Sequence, residues 1–208
     1  MKHFLNLLIP SLFPMIEFSF KGVKICFDFS FFAAVSLLML CSGNNCTAYS
    51  LYACLLHESG HIAAMFLTGQ TVKKLVFYGA GIKIIRPMND MLCKFPQETI
   101  TLASGCAVNF ILYAMTRLFD FGEDFGAVNL AIGLFNALPI SFLDGGKLIT
   151  AAFYRFLPYR FALKAESALN YASIITVPAA AAVLFMTGTR NFTIYLTLLF
   201  LLFTAVMV

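Results

Sequence analysis

Apolar runs of helical length recur along the chain at about residues 29–42, 48–68, 98–118, 125–143, 168–187 and 192–208. Each is near, or a little under, the roughly 20 residues that carry a helix across a bilayer. Hydrophobic residues make up 61% of the 208 positions and charged residues 12%, about half the charged share of an ordinary soluble domain. A soluble fold of this length has too little interior to hide so much apolar surface. The expectation is an all-α polytopic membrane protein with about six transmembrane helices, the fourth loosened by Pro139, and with the lipid bilayer as its solvent.

Charge places the loops. Lys2, Lys21 and Lys24 precede the first run, Lys73, Lys74, Lys83, Arg86 and Lys94 follow the second, and Lys147, Arg155, Arg160 and Lys164 follow the fourth. The opposite side holds Arg117 and Arg190, together with Asp120, Glu123 and Asp124. Lysine and arginine concentrate in cytoplasmic loops, so both termini are expected in the cytoplasm. A net charge of +4 with scattered basic groups gives no stripe for nucleic acid, and none is expected as a partner. The opening MKHFLNLLIPSLFP is interrupted by Pro10 and Pro14, unlike a cleaved signal peptide. The six cysteines form no CxxC pair and read as reduced, small packing residues.

Two stretches do not read as spans. Residues 18–31, FSFKGVKICFDFSF, and 72–85, VKKLVFYGAGIKII, alternate apolar and polar around Gly22 and around Gly79 and Gly81, the pattern of short β-hairpins. An open strand edge does not survive in lipid, so the hairpins must lie at the cytoplasmic interface, pair with each other or line a protected cavity. No repeat or long polar linker divides the chain, and a single domain over residues 1–208 is expected.

The chemistry lies in the second run, LLHESGHIAAMF. His57 and His61 are four apart, on one helical face a turn from each other, which suits two ligands of one tetrahedral zinc. Glu58 stands where H-E-x-x-H enzymes carry the general base that activates water. With three histidines in the chain, chance would produce this pattern about once in a thousand such sequences. Ionisable groups in a membrane helix cost roughly 2.5–3.5 kcal/mol each on insertion scales and therefore ask for a function. A buried hydrogen-bonded cluster joining helices, or a proton or ion relay, would use the same residues. A catalytic zinc needs a third protein ligand, and Asp144 in NALPISFLDGGKL is the candidate, at the end of the fourth run and before two glycines that can unwind a helix. Asp-Gly-Gly is also ordinary turn chemistry.

HESGH, then ASGCAVN at 103–109, then NALPISFLDGG at 136–146, in this order on successive runs, resemble the site-2 protease family of intramembrane zinc metalloproteases over roughly residues 48–150. The resemblance implies His57, His61 and Asp144 as ligands of Zn2+ and Glu58 as the base. It implies Asn109 and Asn136 as substrate-binding amides or oxyanion stabilisers; helix-to-helix hydrogen bonding is the alternative for both. The family often has Ala-Gly-Pro where this chain has Ser104, Gly105 and Cys106. No PDZ or cystathionine-synthase-like domain is expected, and the compact layout is similar to the stage IV FB sporulation type. The implied activity is hydrolysis of a peptide bond in a membrane-anchored protein near the cytoplasmic side, in a bacterial cell membrane, with room for a regulatory membrane protein. The reading from a different class is a transporter or an ion- or proton-binding membrane protein built on the same polar groups.

Overall fold

The computed structural model describes residues 16–20, 22–41, 46–78, 81–85 and 95–188, with the single positions 198 and 202. Among the described residues four strands, β1 (Ile16–Phe20), β2 (Val23–Phe27), β3 (Lys74–Tyr78) and β4 (Gly81–Ile85), accompany six helices. These are α1 (Phe29–Cys41), α2 (Cys46–Leu67), α3 (Phe95–Leu118), α4 (Glu123–Asn136), α5 (Asp144–Phe156) and α6 (Tyr159–Met186).

Both expected hairpins form, and they pair with each other. β1–β2 and β3–β4 are antiparallel, and β2 runs parallel to β3 with Ile25 opposite Leu75, so that one four-stranded sheet runs β1-β2-β3-β4. The first hairpin ends sooner than its alternation suggests. Asp28 accepts the backbone N–H of Ser30 at 2.8 Å, capping α1 at its N-terminus, and Phe29 to Phe31 enter the helix. One face of the sheet packs Leu75, with Ile25 and Phe77, against Met65 and Ile62 of α2. Phe27 stacks on Phe77 with ring centroids 4.5 Å apart.

Two of the described helices, Phe95–Leu118 and Tyr159–Met186, are long and apolar enough to cross a membrane. The 13 residues of α1 reach about 20 Å, short of the hydrocarbon core. The expected fifth span begins nine residues late at 168, since Pro158 starts α6 at Tyr159; the sixth lies outside the described residues apart from 198 and 202. The fourth span needs correction. The run 125–143 is not one helix: α4 stops at Asn136, a turn occupies 137–143, and Asp144 opens α5. Proline at 139 has no N–H to donate and disfavours helix at the residue before it, so apolar character continues where helix cannot. The unwinding lies before Asp144, and the two glycines after it are helical.

Helices meet through small residues. A Cβ on Gly60 would lie 2.8 Å from the carbonyl oxygen of Ser104, and one on Gly133 would lie 3.2 Å from Asn109 Cβ. Such close approach drives association between apolar helices, which have no hydrophobic gradient between them. α3 thus packs between α2 and α4, α2 also touches α4, and α5 packs on α3 and α6.

Candidate metal centre

On α2, Ala53, His57, Gly60, His61, Ala64 and Met65 are buried, one stripe at three- and four-residue spacing. On α3 the buried positions Thr101, Gly105, Asn109 and Thr116 form a matching stripe of small and polar groups. Because the two helices run antiparallel, Asn109 meets His57 and Thr101 meets His61. Asp144 reaches the same point from the first turn of α5, 7% exposed.

The three expected ligands converge. His57 Nε2 and His61 Nε2 each lie 2.9 Å from Asp144 Oδ2 and 3.2 Å from one another. Among the described residues these three form the group able to hold a metal ion. The outer ring nitrogens identify the tautomers. His61 Nδ1 lies 2.6 Å from the Thr101 carbonyl oxygen, an acceptor only, so Nδ1 carries the proton. His57 Nδ1 likewise donates to Asn109 Oδ1 at 3.2 Å. In a neutral imidazole the other nitrogen is then a bare lone pair. With both rings neutral, two lone pairs and a carboxylate oxygen face one point. A proton added to one ring serves one edge of that triangle, whereas a divalent cation serves all three corners. The edges are slightly shorter than the roughly 3.3 Å of a tetrahedral zinc with bonds of about 2.0–2.1 Å, so the donor set fits a cation after opening by a few tenths of an ångström.

A cleft of about 980 Å³ opens beside the triad. Glu58 lines it with His61 and Asp144, as do Tyr78, Glu98, Lys147, Tyr154, Arg155 and Glu166. Lys147 Nζ sits 3.5 Å from Asp144 Oδ1, leaving Oδ2 to the histidines. Tyr154 donates to Glu166, and this bond pushes the phenol up to about 12. Burial raises Tyr78 as well. Glu98 and Glu166 share the cleft but do not join the ligand triad; neither do Cys54, which is exposed, and Cys106, which is half-buried.

The two asparagines expected at the substrate each make one hydrogen bond within the protein. Asn109 is fully buried behind His57, and its amide nitrogen has no hydrogen-bond partner among the described residues. Asn136 is half-buried and donates to the Ile132 carbonyl of its own helix at 3.1 Å. The residue that backs His61, Thr101, acts through its main chain and leaves no trace in a sequence. Lys147 was readable, three positions after Asp144 and so on the same helical face.

No family profile matches the sequence, and no curated protein does. Among solved structures, the chain is similar to "Site-2 Protease from Methanocaldococcus jannaschii", with a TM-score of 0.65 and 20% identity, over 92% of this chain and 94% of that one. The fold is thus that of a site-2 protease.

Proposed function

We propose that this chain is an intramembrane zinc metalloprotease that hydrolyses a peptide bond of a membrane-anchored protein. The observation that carries this reading is the convergence of His57 Nε2, His61 Nε2 and Asp144 Oδ2 on one point, inside a fold shared with a site-2 protease. When bound, zinc supplies a Lewis acid that polarises a peptide carbonyl and acidifies water. His57, His61 and Asp144 hold it. Glu58, on the cleft wall next to His57, takes a proton from the attacking water and passes it to the leaving nitrogen. Asn109 orients His57 by accepting its Nδ1–H. Asn136 borders the helix break ahead of Asp144, and its remaining amide oxygen is the group offered to substrate.

A helical substrate hides its carbonyls, so it must be unwound before it is cut. β4 is one of the two outer strands of the sheet, and an extended segment adding to it would present its backbone beside a cleft lined by Tyr78 at the end of β3. Proline at Val76 would disrupt a central strand paired on both sides, so Ile84 in β4 is the informative position. Ile84→Pro is expected to lower cleavage of a membrane-anchored substrate about tenfold or more at unchanged zinc content. Full cleavage by that variant would count against strand addition.

In this reading the protein is multi-pass, with both termini cytoplasmic and cleavage toward that side. The compact layout makes a membrane-bound precursor of the kind cut by the stage IV FB sporulation type a first substrate to assay. The direct test is metal content of the purified protein: about one zinc per chain is expected, lost on His57→Ala, His61→Ala or Asp144→Ala. Wild-type protein that takes up no zinc would overturn the reading and return the site to a proton or ion relay.

A further inference from the structure

We propose that α6, which carries none of the three ligands, positions Asp144: Ser173 and Asn170 latch the 137–143 turn that delivers the carboxylate. This rests on the metal reading above. The turn bonds mostly within its own surroundings, Ala137 N–H to Gly133, Leu138 N–H to Phe135, Ile140 N–H to Leu138 and Leu143 N–H to Ile140. Ser141 is different, because both its donors reach α6. Its backbone N–H donates to Ser173 Oγ at 3.0 Å, and its hydroxyl donates to Asn170 Oδ1 at 2.7 Å. Ser173 is 2% exposed and spends its own proton on the Leu169 carbonyl at 2.8 Å. That leaves its oxygen a pure acceptor aimed at Ser141.

Movement of Ser141 passes to Asp144 without slack. A Cβ on Gly146 would stand 2.0 Å from the Ile140 oxygen and 2.8 Å from Ser141 Cα, and one on Gly145 would stand 2.2 Å from the Ala137 oxygen. The first turn of α5 is therefore seated directly on the turn, and close-packed interiors transmit displacement. Partners that orient a ligand from behind typically contribute 10–100-fold in metal affinity. These partners act one step further back, so the expected effect is at the lower end.

The experiment measures zinc affinity of the full-length protein in detergent or nanodiscs by chelator competition. Ser173→Ala, Asn170→Ala and Ser141→Ala should each weaken zinc about tenfold at unchanged helix content, with Asn170→Asp, which keeps the acceptor, near wild type. Because Asn170 acts through Ser141, the double variant should lose the same tenfold rather than a hundredfold. A general loss of packing would give neither the rescue nor this non-additivity. Independently of any variant, zinc should slow amide hydrogen exchange at Ser141 about tenfold, since coupling between two sites is reciprocal. Affinities within twofold of wild type, additive losses, or exchange at Ser141 indifferent to zinc would each overturn the inference while leaving the metal site standing. Wild-type protein that binds no zinc would overturn both.

Discussion

Glu58→Gln is expected to leave the chain folded and zinc-loaded while cutting peptide-bond hydrolysis by about 10²–10⁴-fold, the usual contribution of a positioned general base. Glutamine keeps the shape and a hydrogen-bonding oxygen but cannot take a proton at neutral pH. Glu58 faces the cleft but belongs to no ligand pair, so metal content should not change. Single-turnover cleavage of a membrane-anchored substrate, measured beside metal analysis of the same preparation, separates the roles. A variant that cleaves normally would remove Glu58 from the chemistry, and one that loses zinc would make it a fourth ligand or a structural support.

Gly105→Ala should strongly weaken metal binding although the residue is no ligand. An alanine Cβ at this position would stand 2.4 Å from His61 Nε2, 2.6 Å from His61 Cε1 and 2.7 Å from His57 Cε1, where carbon and nitrogen normally keep well over 3 Å apart. The rings cannot simply turn aside. Their far nitrogens are tied to Thr101 and Asn109, one turn to either side of Gly105 on the same helix, so a shift that relieves one strains the other. Zinc affinity is expected to fall by about 100-fold or more. Gly60→Ala is the control: its Cβ would meet the Ser104 carbonyl at 2.8 Å and a Val108 methyl at 2.9 Å, at the same helix crossing but away from the imidazoles. That variant should lose about 1–3 kcal/mol of stability through overpacking and retain zinc. Equal loss of metal in both would mean that the crossing, not the ring contact, governs the site.

These contrasts explain what could be read in advance. HESGH was legible because helical period alone puts His57 beside His61, and Asp144 because an acid at the end of an apolar run demands a reason. The hairpins were legible from alternation, but their parallel union was not, since Ile25 meets Leu75 across fifty residues by packing on Met65 and Ile62. The run 125–143 misleads because hydropathy reports burial or lipid, not backbone geometry, and a proline such as Pro139 can end a helix as well as kink it. Asn109 carries the same amide whether it faces substrate or imidazole, and only the crossing of α2 with α3 decides which. Thr101 serves through a carbonyl that every residue owns.

The parallel joint between β2 and β3 also sets a clock. An isolated two-stranded hairpin is at best marginally stable in water, and the β1–β2 hairpin gains its third strand only after residues 28–73 have been made. At about 5–20 residues per second, that is a wait of roughly 2–10 s in which β2 stands with an open edge. α1 and α2, with the whole HESGH motif, are synthesised inside that interval. Closure of the sheet against α2 therefore becomes possible only after both histidines have been made, and its parts are complete before the helix that carries Thr101 and Asn109 is synthesised.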